Sequence, residues 1–231
     1  MWETGAGTLP AFFLVRAGRK LQGMIPSGND MSEFLIRSAE VGDLEAIRSI
    51  YAIEVLEHSA SFEITVPGVE EMKTRWLGVT EAGLPYRVVE VDGLVSGYAY
   101  ATPYRPRPGY RYTLENSVYV ARPLQRQGLG YALLTDLIGR CEAVGARQLV
   151  AVIGDSEHLA SIRLHEKAGF RTVGVLEAVG WKFERWIDSV IMQRSLTGAD
   201  FGSTRQGGPG GPKSAHHGGW RCRLTDGQLG R

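Results

Sequence analysis

VYVARPLQRQGLGYALL, residues 118–134, reads as strand, turn, glycine loop and helix. Val118, Tyr119 and Val120 are the β-branched and aromatic types that a buried strand prefers. Pro123 has no N–H to donate, so with Arg122 it marks the end of that strand. Gln125-Arg126-Gln127-Gly128-Leu129-Gly130 then leads into Tyr131, Ala132, Leu133 and Leu134. Such a loop presents several backbone N–H groups at a helix N-terminus, where the helix dipole is positive, and suits a phosphate or pyrophosphate. Gly128 and Gly130 let the backbone approach a ligand without a Cβ between, and Arg126 adds positive charge. The loop lacks the Lys-Ser/Thr of a Walker A motif and the G-x-G-x-x-G of a dinucleotide fold. A glycine pair at a helix start also serves as a plain tight turn, so the rest of the chain decides its meaning.

Outward from this stretch the chain alternates strand and helix. Phe34-Leu35-Ile36-Arg37 is a short strand. Asp43 opens a helix whose apolar residues Leu44, Ile47, Ile50, Tyr51 and Val55 fall at helical spacing. Pro67 precedes a second helix over about 69–80, closed by Gly83 and Pro85. Residues 86–91 and 94–101 form a hairpin about Asp92-Gly93, a strong turn signal. Residues 102–111, rich in Pro, Arg and Tyr, are a loop before the strand that enters the glycine loop. The helix over 129–144 buries Leu133, Leu134, Leu137, Ile138 and Cys141 and stops at Gly145. The apolar run 148–153 is a central strand, 158–168 a short helix, and 171–176 and about 184–193 the last two strands. The fold predicted is α/β: a mixed central sheet flanked by helices, with a βαβ crossover around the glycine loop. The domain spans 33–197. Residues 1–32 are predicted to be a flexible extension, with Met24 and Met31 as alternative starts, and the Gly-rich 198–231 a disordered tail.

Composition narrows the partners. A 43% hydrophobic, 22% charged chain of 231 residues supports a globular core. The formal net charge of +1 supplies no field to attract nucleic acid or an anionic membrane, and no apolar run is long enough to span a bilayer. Cys141 and Cys222 stand far apart, with no disulfide framework or zinc spacing. His216-His217 with Cys222 lacks a fourth ligand, so no metal site is predicted. A cytoplasmic protein is the expectation.

The form Q-R-x-G-x-G, in this order of elements, resembles the pyrophosphate loop of the GCN5-related N-acetyltransferases, which bind acetyl-CoA. Ser161-Ile162-Arg163-Leu164-His165-Glu166-Lys167-Ala168-Gly169-Phe170 is similar to that superfamily's later helix, with His165 where most members carry a tyrosine. This substitution resembles the phosphinothricin acetyltransferase family, which also acetylates methionine sulfoximine and methionine sulfone. His58-Ser59-Ala60-Ser61-Phe62-Glu63, Glu115 before Val118-Tyr119-Val120, and Val179-Gly180-Trp181-Lys182-Phe183 followed by Arg185-Trp186-Ile187-Asp188 match further features of that family. The resemblance covers about residues 34–195 and implies a homodimer. One departure is His158, where the family has an asparagine whose amide contacts the cofactor; an imidazole has a different shape and a single N–H when neutral.

Acetyl transfer from a thioester to an amine needs a neutral amine, a donor for the developing oxyanion and a proton for the leaving thiolate. Glu115 is the candidate base, with its pKa raised by desolvation near Tyr112 and Tyr119, and the resemblance puts the family's base there. His165 is the candidate partner near the thiol. The resemblance implies that the backbone of Val118, Tyr119 and Val120, with Arg126 to Tyr131 and His158, holds the cofactor, Val120 N–H facing the thioester carbonyl. By the same resemblance Arg105, Arg107 and Tyr110 meet the substrate, since arginine forks suit carboxylate, phosphinate or sulfoximine oxygens, and Phe62 supplies an apolar wall. The substrate class implied is a small amino acid; another amine, such as a protein N-terminus, and a non-catalytic acetyl-CoA-binding module are the alternatives.

Overall fold

The structure, a computed structural model, describes residues 15–17, 20–27 and 30–196. They build one sheet of nine strands: β1 (Val15–Ala17), β2 (Lys20–Ser27), β3 (Asp30–Ser38), β4 (Tyr86–Val91), β5 (Leu94–Pro103), β6 (Thr113–Val120), β7 (Gln148–Gly154), β8 (Arg171–Lys182) and β9 (Arg185–Ser195). Four α-helices accompany it: α1 (Leu44–Glu57), α2 (Val69–Glu81), α3 (Leu129–Ala143) and α4 (Leu159–Lys167). The spatial order of the strands is β1-β2-β3-β4-β5-β6-β7-β9-β8. Every pair is antiparallel except β6 and β7, which α3 connects as a parallel crossover.

The elements follow from their residues. Leu133, Leu134, Leu137 and Cys141 recur at three- and four-residue spacing on α3 and are wholly buried. Gly145, at φ +84, ends that helix in the left-handed conformation glycine tolerates. Asp92 and Gly93 both take positive φ and join β4 to β5 in the tight turn that their identities announce. Leu149, Val150, Ala151 and Ile153 of β7 are buried, as a strand in the middle of a sheet requires.

Two boundaries differ from the sequence reading. Residues 15–17, 20–27 and 30–32, predicted as part of a flexible extension, lie in strands that continue the sheet past β3. Ile25 is wholly buried, Met24 is 46% exposed and Pro26 interrupts the sequence, so the alternation that signals a strand is too short to read before β3 supplies a partner. The remainder of 1–32 and the 198–231 tail, including His216, His217 and Cys222, lie outside the described residues. The second boundary is β8, which runs to Lys182 rather than ending at Leu176. A bulge carries it through Leu176–Gly180, with Ala178 at positive φ, and Phe183 and Glu184 then turn left-handed into β9.

The feature that positions the site is a parting of the sheet. β6 and β7 pair only from Thr113 with Gln148 to Asn116 with Ala151. Beyond that pair β6 stays on β5 and β7 stays on β9, so a cleft opens between Ser117–Val120 and Val152–Gly154.

Candidate active site

The cleft is lined by Asn116, Ser117, Val118, Tyr119, Ala151, Val152, Ile153 and Gly154 of the two parted strands, and by Ala60, His158, Ser161 and His165. Its hydrogen-bonding edge follows from strand geometry. Ala121 N–H donates to the Ser96 carbonyl at 2.8 Å, on the β5 side. Backbone groups alternate sides along a strand, so the N–H and C=O of Val118 and Val120 face the cleft instead. The Val120 carbonyl accepts from Gln125 Nε2 at 3.0 Å, which ties the glycine loop to the strand end. Val118 N–H and C=O and Val120 N–H are thus a strand edge to which an extended ligand with amide groups can bond.

At the cleft's mouth the loop turns through two left-handed residues, Arg126 (φ 64) and Gly128 (φ 93), and Gly128 caps α3. The N–H groups of Leu129, Gly130 and Tyr131 have no carbonyl four residues back inside the helix and face outward as anion donors. Arg126 is exposed and free to add its charge, whereas the Leu129 side chain is 1% exposed and pins the helix to the core. Gln127 donates to the Pro123 carbonyl at 3.4 Å, and its Oε1 is buried without a partner among the described residues. Tyr131 lies under the Lys167 ammonium, 4.5 Å from its ring centre, and Gly130 lies against Leu164 and Val120, so α4 closes over the start of α3.

The two faces of β6 carry different chemistry. Glu115, Ser117 and Tyr119 share one face, with Tyr119 stacked on Tyr98 (5.0 Å) and edge-on to Tyr51 (5.4 Å). Burial pushes the phenols of Tyr98 and Tyr119 well above their ordinary range, so this wall stays neutral. Burial also raises the Glu115 carboxyl, and the charge of Arg105 offsets part of that rise. Tyr112 is 36% exposed and lies under the Arg111 guanidinium.

The opposite face of β6 meets α4. His165 is 4% exposed there, edge-on to Phe170, and both ring nitrogens are engaged. Nδ1 donates to the Ser161 carbonyl at 2.8 Å, because a carbonyl only accepts. In the neutral ring Nε2 therefore accepts, and it receives Asn116 Nδ2 at 3.0 Å. Burial lowers the pKa of His165, with the Ser161 bond opposing, which keeps the ring neutral. Asn116 was invisible to the sequence reading; the one signal was a polar residue at a buried strand position between Leu114 and Val118.

His158 borders the cleft and caps α4, and burial lowers its pKa too. It also lines an adjoining polar pocket with His58, Ser59, Arg122, Asp155 and Glu157. Phe62 packs onto Gly180 and Gly154, where a Cβ would overlap the Phe62 ring or the Ser59 carbonyl. The loop that carries it is held by Lys182, whose buried ammonium donates to the carbonyls of Ser61 (2.6 Å), His58 (2.7 Å) and Glu54 (3.3 Å). In the 102–111 loop, Arg105 stacks on Tyr104 at 5.0 Å, and Tyr104 meets Tyr110 at 5.8 Å. Arg107 and Tyr110 are exposed and do not border the cleft.

The chain that builds this cleft matches a known family model. The acetyltransferase (GNAT) domain model covers residues 36–191. The chain belongs to the GNAT acetyltransferase family. As a member it is an N-acetyltransferase with acetyl-CoA as co-substrate, and the strand edge at Val118 and Val120 and the open amides of α3 fit the amide-bearing arm and pyrophosphate of that molecule. The chain is 52% identical over 165 residues to phosphinothricin N-acetyltransferase of Alcaligenes faecalis, covering 71% of this chain and 84% of the relative. It is 38% identical to L-methionine sulfoximine/L-methionine sulfone acetyltransferase of Salmonella typhimurium, covering 70% of this chain and 94% of that one. The solved phosphinothricin acetyltransferase of Sinorhizobium meliloti, in complex with acetyl-CoA, superposes with a TM-score of 0.68 at 42% identity, over 70% of this chain and 87% of that one. Among the described residues no cluster of His, Cys, Asp and Glu suits a metal ion, and no helix is long and apolar enough to cross a membrane.

Proposed function

We propose that this enzyme acetylates the α-amino group of a small amino acid of the phosphinothricin, methionine sulfoximine or methionine sulfone type. The observation that carries the reading is Glu115: a carboxylate raised by burial, on the tyrosine-walled face of β6, one residue before the strands part. The substrate amine arrives as an ammonium and gives a proton to Glu115, directly or through a water. Its lone pair then attacks the thioester carbonyl, whose oxygen gains charge and takes a hydrogen bond from Val120 N–H. The C–S bond breaks, the acetyl group stays on nitrogen, the nitrogen gives up its second proton to become an amide, and that proton goes to the leaving CoA thiolate. Arg105, whose charge acts on Glu115, would receive the acid's oxygens, with Arg107 and Tyr110 further along the same exposed loop outside the cleft, and Phe62 would cover its apolar part. Arg126, Gln127, Gly128, Leu129, Gly130, Tyr131 and His158 would hold the cofactor beyond the thioester arm.

We read the protein as a homodimer, because β8 is an edge strand whose Val173, Val175, Leu176, Val179 and Trp181 are all exposed, beside exposed Trp186. A cytoplasmic location agrees with the free, buried thiol of Cys141. The test is CoA release from acetyl-CoA with phosphinothricin, methionine sulfoximine, methionine sulfone or a short peptide as acceptor, for the wild type and Glu115→Gln. The expected result is turnover of a small acid, reduced about 10²–10⁴-fold in the variant. Turnover of the peptide alone would move the reading to protein acetylation, and binding of acetyl-CoA with turnover of none of them would count for a binding module.

A further inference from the structure

His165 cannot present an N–H to the cleft while the Ser161 carbonyl holds Nδ1–H and Asn116 Nδ2 occupies Nε2. The same two bonds fix Asn116. With its amide nitrogen committed to His165, its Oδ1 has one orientation left, and that oxygen is buried with no hydrogen-bond partner among the described residues. Asn116 itself is 5% exposed, borders the cleft, and forms the last β6–β7 pair before the strands part. A buried amide oxygen without a donor carries a desolvation cost that a bound N–H would remove. The arm of acetyl-CoA carries secondary amides, and the cleft proposed to hold it offers, besides strand backbone, the side chains of Ser117, His158 and Ser161.

We infer that Asn116 is a cofactor-binding residue whose Oδ1 accepts a hydrogen bond from an amide N–H of the acetyl-CoA arm, and that His165 is the positioning residue that orients it. This rests on the acetyl-CoA site proposed above but not on which amine is acetylated. The Ser161 carbonyl sets the tautomer of His165, His165 sets the direction of the Asn116 amide, and Asn116 stands where the two strands part.

The test is CoA binding by titration calorimetry, which needs no acceptor, beside KM values for acetyl-CoA. Asn116→Leu keeps the volume and removes both bonds; His165→Phe keeps a ring against Phe170 and frees the Asn116 amide to turn. Each is expected to weaken CoA binding and raise KM for acetyl-CoA by about three- to tenfold, the worth of one buried hydrogen bond. The double variant is expected to be no weaker than Asn116→Leu alone, because one interaction is lost in both. Nitrogen NMR of His165 is expected to show the Nδ1–H tautomer in the wild type. Unchanged CoA affinity in folded Asn116→Leu, additive losses in the double variant, or an Nε2–H tautomer would each overturn the assignment. Wild-type protein that binds CoA but acetylates none of the amino acids offered would refute the substrate reading and leave this test intact.

Discussion

Glu115 and Asn116 are consecutive residues with opposite surroundings, because a strand sends neighbouring side chains to opposite faces. The Glu115 carboxyl is raised by burial, so the folded protein holds a proton there that the unfolded chain has already lost. Between the ordinary glutamate pKa of about 4.3 and the higher folded value, this group lowers stability as pH rises, and the loss is complete above the folded value. Glu115→Gln is therefore expected to raise Tm at neutral pH while it lowers activity; a Tm below that of the wild type, in scanning calorimetry, would contradict a desolvated base. A raised pKa also places the acid limb of kcat/KM above the range of a free carboxylate. The histidines act in the opposite sense. His158 and His165 have folded pKa values lowered by burial, so the unfolded chain takes up protons first as pH falls below about 6.5, and stability declines from there on acidification.

Among the elements, β8 positions Phe62, the proposed wall of the acceptor site, without carrying any of the chemistry. Gly180 leaves room for the Phe62 ring, and Lys182 holds three carbonyls at the end of α1 and in the loop after it. Gly180→Ala is expected to displace Phe62, raising KM for the amino acid severalfold with KM for acetyl-CoA unchanged; steady-state kinetics on both substrates separates the two. Lys182→Met leaves buried carbonyls unpaired and is expected to cost on the order of 2–3 kcal/mol in urea unfolding. Neither effect was legible in the motif Val179–Phe183, which the sequence reading leaves between the last two strands. The contact that gives Gly180 and Lys182 their meaning comes from residues more than a hundred positions earlier in the chain.

At the scale of the whole sheet, helices pack on both faces of the central strands, α1 against Tyr119 and α4 against Asn116, while β8 stands at one edge. The exposed Trp181 and Trp186 rings, 5.1 Å apart, with the valines of β8, make an apolar face that a single chain leaves in water. A Val175→Asp, Trp186→Lys variant is expected to sediment as a monomer at micromolar concentration where the wild type sediments as a dimer; a wild-type monomer would remove the homodimer reading.

The sequence by itself determined the glycine loop, the helix it opens and the hairpin at Asp92-Gly93, because each is written in local signals: left-handed residues, period and turn chemistry. It also carried enough separated motifs to place the chain in its family, which the domain match over residues 36–191 bears out. Only the tertiary structure decided that β2 joins the sheet, that the strands part after Asn116, and that both ring nitrogens of His165 are engaged, by the Ser161 carbonyl and by that asparagine. These depend on partners far apart in the chain. A side chain's tautomer, its buried bonds and the direction of its last free oxygen are fixed by what packs against it, and no local pattern in the sequence records that.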